Sequence, residues 1–539
     1  MEVLEDAQDV GPQGDPRARL LDGGAWAAVK PAVLTGLGLP EDPEPHLTEL
    51  ATTLDTAYRE VAARVPEHPA LEVTTDRDGR ERLHLARLTT APEPASLVEL
   101  RKRVARMLPR VELPELLLEV HAWTGYLDEC THVTEADAPL EGLPLSVAAV
   151  LVAEACNLGF RPVAQDATPA RAPDRLSHVD QTYVRAETLR AANARLIAAQ
   201  AAIPLARTWG GGLVASVDGL RFVVPVTTIH AGPNPRYFDV RRGVTWLNAM
   251  NDQRAGTGAL VVPGTLRDSL YTLHLVLNLD GGPRPRMIVT DAASYSDIVF
   301  GLFRLLGYQF APRLADLPDL RFWRVDAPGY PGHGAAYGPL DGVARSRIHL
   351  GRVRAHWPDM LRVAGSLVTG AVRAYDLLRM LGRDGHPSAL GQAFAEYGRL
   401  PKTLHLLAYV DVDDAYRRQI GAHLNLHESR QRLARRICHG QKGELRQPYR
   451  EGQEDQLGAL GLVLNAVVLW NTRYLDAALT RLRREGYPVR DEDVVRLAPF
   501  RFAHLNVHGR YTFAPFTPPG PGLLRPLRDP GAGDDEEDE

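Results

Sequence analysis

Leu213-Val-Ala-Ser-Val-Asp-Gly-Leu-Arg-Phe-Val-Val-Pro-Val226 is the stretch around which the rest of the chain is organised. β-Branched and aromatic residues at this density, punctuated by Asp218-Gly219, predict strands at 213–218 and 220–228 joined as a hairpin. Most Asp-Gly pairs are only turn chemistry. This one has company. A second predicted strand, Arg286-Met-Ile-Val-Thr-Asp291, also ends in an aspartate, and a later helical stretch presents Glu428 among arginines. Two strand-borne aspartates and a helix-borne glutamate suit a site that binds two divalent metals and moves phosphoryl groups. Such ions are hard cations that take oxygen ligands, and a close pair of them can serve both the attacking and the leaving oxygen.

Working outward, a strand is predicted at 258–263, an amphipathic helix near 267–278 and, after Gly281-Gly-Pro-Arg-Pro285, a strand at 286–290. A helix follows from Ser296 to Leu306 and a strand from Tyr308 to Ala315. Three strands, a helix, a strand, a helix and a strand is the order of an RNase H-like α/β core. In that fold the first acid sits on the first strand and the second follows the fourth, where Asp218 and Asp291 fall.

Upstream, Leu50, Leu54, Tyr58 and Val61, then Leu97, Leu100, Val104 and Leu108, recur at helical spacing. Downstream of Trp323 helical periodicity returns, and Gln456–Leu479 is the most apolar helix of the chain. Asp491–His508 reads as a closing helical segment. The expected fold is therefore an α/β RNase H-like catalytic core with a helical insertion, preceded by a mostly α-helical domain and followed by an α-helical C-terminal region. The expected boundaries are a flexible lead-in at 1–42, a helical scaffold at 43–205, the first part of the core at 206–322 and the insertion at 323–420. Core completion with C-terminal helices takes 421–515, and a disordered acidic tail 516–539.

At 539 residues and 45% hydrophobic content the chain can build two to four domains with ordinary cores. No apolar run is long enough to argue for a membrane span, and the acidic start Met1-Glu-Val-Leu-Glu-Asp lacks a secretory pattern. Cys130, Cys156 and Cys438 form neither a disulfide framework nor a zinc spacing, so the cytoplasm is the expected compartment. His230, His405, His427 and His439 show no HExxH-type spacing and are expected to be structural or surface histidines. The net charge of -5 hides a basic middle: residues 201–450 carry 32 Lys+Arg against 20 Asp+Glu. That surface would attract a polyanion, although only four of the 62 basic residues are lysines and an arginine-biased coding sequence explains part of it.

Ala215-Ser-Val-Asp-Gly-Leu-Arg-Phe-Val-Val-Pro225, Pro233-Asn-Pro-Arg-Tyr-Phe238, Thr245-Trp-Leu-Asn248 and Ile288-Val-Thr-Asp-Ala-Ala-Ser-Tyr-Ser-Asp297 resemble the transposases of the Tn3 family. So do Leu424-Asn-Leu-His-Glu-Ser-Arg430 and Asp455-Gln-Leu-Gly-Ala-Leu-Gly-Leu-Val-Leu-Asn465. The resemblance implies a DDE transposase that nicks DNA at transposon ends and joins the freed 3′ hydroxyls to target DNA. It carries the acidic triad onto Asp218, Asp291 and Glu428, which would hold Mg²⁺, with Mn²⁺ as a substitute. Arg241, Arg242, Arg430, Arg432, Arg435, Arg436 and Lys442 would contact DNA phosphates, and the protein would work as a homodimer assembled on DNA. The family usually has a Gly before the Glu and a His after the following Arg, where this chain has His427 and Gln431. Glu444, Glu451 and Glu454 therefore stand as alternatives for the third acid. Family members are considerably longer, so the chain resembles a carboxy-terminal catalytic half whose amino-terminal modules would be missing or separately encoded. The alternative to an active enzyme is a catalytically impaired DNA-binding or partner-binding remnant.

Overall fold

The computed structural model describes residues 19–531 except 90–91, 135–139, 265–267, 292–294, 316–319, 382–386, 510, 512 and 514–522. The chain divides into two compact units assembled from interleaved segments. One takes residues up to Leu88, Ser269–Leu277 and Asp291–Ile420; the other takes Thr89–Asp268, Asn278–Thr290 and the chain from Gly421. The boundaries expected from the sequence do not follow this division, because the helices after Trp323 share a unit with residues before Leu88.

The second unit holds the main sheet. Its strands are β1 (Val214–Val223), β2 (Arg242–Asn251), β3 (Gly256–Pro263) and β4 (Met287–Thr290). They lie in the order β3-β2-β1-β4. β2 is antiparallel to both neighbours, pairing Ala215↔Asn251 through Val223↔Gly243 with β1 and Val244↔Pro263 through Met250↔Gly256 with β3. β4 runs parallel to β1, from Val214↔Met287 to Val217↔Thr290.

The hairpin expected at Asp218-Gly219 does not form, and one strand passes straight through it. A two-residue hairpin of that kind needs positive φ in its turn, and neither residue is among those with positive φ. The ladder to β2 runs through Asp218↔Asn248 and Gly219↔Leu247 and holds this backbone extended, so strand pairing overrides the local turn preference. The true second strand, β2, contains Thr245-Trp-Leu-Asn248 and is buried from Gly243 to Asn251. A strand covered on both faces shows no polar alternation, which hides it from a period-two search.

Three helices of this unit matter for the site: α1 (Ala186–Ala202), α2 (Ala415–Ile437, of which this unit takes Gly421 onward) and α3 (Arg450–Arg484). At 35 residues α3 is about 50 Å long. Leu457, Leu460, Leu464, Val467 and Val468 are all buried along it. Gly486 (φ 80) ends it, with Gly486 N–H donating to Arg483 and Tyr487 N–H to Leu482, a Schellman closure. Among the described residues no helix is long and apolar enough to cross a membrane. The three cysteines are buried and free.

Two further expectations for this unit are corrected. Asp491–His508 is not one helix: only Asp491–Val494 turns helically, and Leu505–Asn506 pairs in parallel with Val111–Glu112. Within the expected disordered tail, Arg525 is docked. It donates to Glu115 (3.0 Å) and to the fully buried Glu119 (2.8 Å), which also accepts from Trp470 Nε1 and the Tyr474 hydroxyl. The acidic run at 533–539 and residues 1–18 lie outside the described residues.

The first unit is helical, built on Pro43–Arg64, Asp297–Leu305, Leu350–Val368 and Ala389–Val410. A Cβ on Gly398 would stand 1.8 Å from the Asp297 carbonyl oxygen, so two of these helices touch backbone to backbone where only glycine fits. Asp297 also receives Lys402 (2.7 Å) and Arg399 (3.2 Å). Part of the expected lead-in is structured: Gly23–Leu37 is a helix capped by Asp22, with Val33 and Leu34 buried. Leu71–Thr75 and Glu81–Leu85 form a hairpin inside the region expected to be helical. Its turn is tied by Asp76, whose carboxylate accepts the Asp78 and Arg80 N–H groups.

Candidate active site

Asp218 lies in the middle of β1, half-buried, opposite Asn248 of β2. Its Oδ1 accepts the Gly219 N–H at 2.8 Å and its Oδ2 accepts Gln431 Nε2 at 3.0 Å. Asn248 Nδ2 donates to the Asp218 backbone carbonyl at 3.2 Å. Both carboxylate oxygens are thus oriented by neutral donors.

Helix α2 supplies Gln431 and, one turn earlier, Glu428. His423, His427, Arg430, Ala434 and Ile437 are all buried, a stripe at three- and four-residue steps in which polar residues take core places. His427 is completely buried, and burial, reinforced by nearby Arg430, pulls its pKa down to about 3, so the imidazole is neutral. Asn248 uses its Nδ2 to donate to Asp218 and Trp246, which leaves its Oδ1 as an acceptor. His427 Nε2–H therefore donates to Asn248 Oδ1 (3.0 Å), and Nδ1 accepts the Ser216 hydroxyl (2.9 Å).

Arg430, expected to meet DNA phosphates, is turned inward at 2% exposure. Its Nη2 donates to Asn465 Oδ1 on α3 at 2.7 Å, and burial lowers its pKa to about 9. Asn465 also accepts the Gly256 N–H (2.8 Å) and donates to the Gly256 carbonyl (2.7 Å) and Asn193 Oδ1 of α1 (2.6 Å). A Cβ on Gly256 would fall 2.1 Å from Arg430 Nη2, so a side chain here would have to push the guanidinium off Asn465. Arg430 is a structural residue, because the helix face it occupies packs against the sheet.

The other predicted residues fall as follows. Glu428 is exposed; Asp291 is half-buried and follows Thr290, the residue paired with Val217. Glu444 pairs with Arg241 (3.3 Å) and Glu454 with Arg450 (2.8 Å), while Glu451 is exposed in the first turn of α3. Among the described residues no three His, Cys, Asp or Glu side chains are gathered as a metal-holding group. The carboxylate donors nevertheless match the oxygen preference of Mg²⁺ and Mn²⁺.

Arg241, Arg242, Arg432, Arg435, Arg436 and Lys442 are exposed. Arg432 donates to Ser429 Oγ (2.9 Å), and Arg436 lies over the Phe502 ring at 5.7 Å. Arg435 and Arg436 occupy the last turn of α2, where cations complement the helix dipole. Lys442 follows Gln441 in a left-handed backbone step (φ 59 and 50).

Ser216, Asn248, Gln431 and Asn465 escape a sequence-based search for site neighbours. Ser216, Asn248 and Asn465 sit in quoted motifs and Gln431 directly follows one, yet a neutral polar residue carries no charge signal. The stripe His423-His427-Arg430 exposes the inward face of α2 only when polar residues are admitted to the periodicity.

A family model described as the Tn3 transposase DDE domain matches residues 115–511. The transposase for transposon Tn4556 of Streptomyces fradiae is 58% identical over 522 residues, covering 97% of this chain and 57% of that protein. The transposase for transposon gamma-delta of Escherichia coli (strain K12) is 48% identical over 501 residues, 93% of this chain and 49% of its own length. The transposase for transposon Tn21 of Escherichia coli is 36% identical over 428 residues, covering 79% of this chain and 42% of that protein. The chain spans about half the length of these curated relatives.

Proposed function

The chain belongs to the Tn3 transposase DDE domain family, and from that premise we propose that it carries the catalytic part of a DNA transposase. Its reaction is metal-dependent nicking at transposon ends followed by transfer of the freed 3′ hydroxyl into target DNA. Asp218, Asp291 and Glu428 are the three acids of an RNase H-like core. The strand order β3-β2-β1-β4, with β4 alone parallel to β1, supports that fold.

One observation carries the assignment of the acids: Gln431 Nε2 lies 3.0 Å from Asp218 Oδ2. It brings to the first aspartate the same helix face on which Glu428 sits one turn away. Asp291 joins the set because the motif that carries it, Ile288-Val-Thr-Asp-Ala-Ala-Ser-Tyr-Ser-Asp297, lies within the residues matched by the family model. A DDE transposase domain implies a divalent metal; we assign Mg²⁺, with Mn²⁺ as a substitute. When bound, such ions activate the attacking oxygen and neutralise the leaving one. The protein's own contribution is to orient the Asp218 carboxylate through Gly219 N–H and Gln431, and to hold DNA phosphates on Arg241, Arg242, Arg432, Arg435, Arg436 and Lys442. The partners are transposon ends and target DNA in the cytoplasm, engaged by a homodimer assembled on DNA. Recognition of the ends is assigned to sequence beyond the matched half of the relatives, on the same polypeptide or a separately encoded one.

The test follows joining of a pre-nicked oligonucleotide with a free 3′ hydroxyl to supercoiled plasmid in Mg²⁺ or Mn²⁺. Joining by wild type, abolished in Asp218→Asn and Glu428→Gln, is the expected result. DNA binding by folded protein without joining would instead support the impaired, DNA-binding alternative.

A further inference from the structure

We propose that His427 is a positioning residue that sets where the Glu428 carboxylate stands relative to Asp218. This rests on the assignment of those two acids above. His427 precedes Glu428 in the chain, and its ring links α2 to both strands that frame Asp218. Nδ1 accepts the hydroxyl of Ser216, two residues before Asp218 on β1 (2.9 Å). Nε2–H donates to Asn248, the residue paired with Asp218 across the β1–β2 ladder (3.0 Å). Asn248 in turn donates to the Asp218 carbonyl (3.2 Å). The path from imidazole to aspartate is therefore one side chain long on β2 and two residues long on β1. The Ser216 hydroxyl also lies 3.4 Å from the Met250 carbonyl, and His427 Nδ1 is the nearer of its two acceptors.

The imidazole is fully enclosed, so neither bond is exchanged with water. Gln431 touches the Asp218 carboxylate from the next turn through a single, part-buried hydrogen bond. The His427 pair is the restraint on helix rotation that stands beside Glu428, with the buried Arg430–Asn465 bond adding a second one turn on. A carboxylate roughly 6 Å from that axis moves about 2 Å when the helix turns about 20°. Metal–oxygen distances tolerate only about 0.2 Å. An anchor directly beside Glu428 thus governs whether the two acids can share ions.

A core histidine that merely stabilises the fold would move the unfolding midpoint and leave metal affinity alone. The measurement that separates the two is Mn²⁺ binding to the complex of full-length chain and pre-nicked oligonucleotide, read by electron paramagnetic resonance, with urea unfolding alongside. His427→Leu removes both bonds at similar volume; His427→Gln offers an acceptor oxygen and a donor nitrogen in their place. We expect H427L to raise the Mn²⁺ Kd about 10-fold or more, H427Q to restore it to within about threefold, and DNA affinity to stay unchanged in both. Wild-type Mn²⁺ affinity in folded H427L, with affinity abolished in D218N, overturns the inference and leaves the site assignment standing. Wild-type affinity in D218N means that the site assignment itself has failed. If H427L does not fold, Ser216→Ala deletes one of the two bonds with little change in volume. A Kd raised about threefold then supports the role, and an unchanged Kd overturns it.

Discussion

Gln431 Nε2 donates to Asp218 Oδ2 across 3.0 Å, joining helix α2 to the centre of β1 through a neutral amide. A neutral donor orients a carboxylate without itself neutralising the charge. Gln431→Ala deletes this hydrogen bond while removing nothing from the core. Outer partners of metal ligands are typically worth 10–100-fold, so joining activity should fall about 10-fold with the circular dichroism spectrum unchanged. Gln431→His, which keeps a ring N–H donor, should lose less. Equal activity of Q431A and wild type would show that the amide does not orient the carboxylate.

The third acid can be identified by comparing glutamates that differ in their present occupations. Glu444 and Glu454 are already paired with Arg241 and Arg450, whereas Glu428 shares its helix face with the amide that touches Asp218. Glu428→Gln should lower joining by more than about 100-fold, beyond the range of an outer partner. E444Q and E454Q should stay near wild type. A silent E428Q beside an inactive E444Q, E451Q or E454Q would move the third ligand to that residue.

Asn465 holds together Arg430, the Gly256 backbone and Asn193 in a buried junction. Asn465→Ala leaves a buried guanidinium and two backbone groups of Gly256 without this partner. A buried hydrogen bond to a charged group is worth about 1.5–3 kcal/mol, so the urea midpoint of N465A should fall clearly. A decrease below about 1 kcal/mol would mean that Arg430 finds another acceptor after small rearrangements.

Much of this fold and site is legible in the order of the residues, and the failures have physical causes. β3, β4 and the helix Asp297–Leu305 fall where hydrophobic periodicity puts them, to within a few residues. Asp218-Gly219 misleads because a local turn preference says nothing about the ladder formed with Asn248 and Leu247, distant in sequence. Arg430 misleads for the converse reason: an arginine among arginines reads as surface, and only Asn465, thirty-five residues on, makes its burial tolerable. Arg525 reads as part of an acidic tail because its partners, Glu115 and Glu119, lie some four hundred residues earlier. Local chemistry is legible in sequence; pairings that depend on the closed fold are not.

Salt dependence distinguishes arginines that meet phosphate from those that do not. Deleting one phosphate contact should reduce the slope of log K against log salt by about 0.9 for duplex DNA. Arg432→Ala, Arg435→Ala, Arg436→Ala and Lys442→Ala are each expected to do so, since all four side chains are exposed. Arg430→Met should leave the slope unchanged, because its guanidinium is bonded inside the protein. A shallower slope in folded R430M would place that side chain on DNA after all.

Four carboxyls of the second unit, Glu154, Asp455, Asp180 and Asp280, contribute stability that is lost as pH rises towards 8, opposed below about pH 6.5 by buried neutral histidines such as His427. Burial, assisted by repulsion from neighbouring carboxylates, raises Glu154 to about 8 and Asp455 to about 7; burial raises Asp180 and Asp280 to about 6. A carboxyl whose folded pKa is raised binds its proton more tightly in the folded than in the unfolded state. Its stabilising contribution is complete below the unfolded value near 4 and disappears as pH climbs through the folded value. The window here is therefore about pH 4 to 8, with the steepest decline between 6 and 8. Glu154→Gln fixes the neutral form of the group with the highest value. Its melting temperature should exceed that of wild type at pH 8.5, and the difference should shrink steadily to pH 5. A constant difference across that range would show that Glu154 does not titrate with the fold.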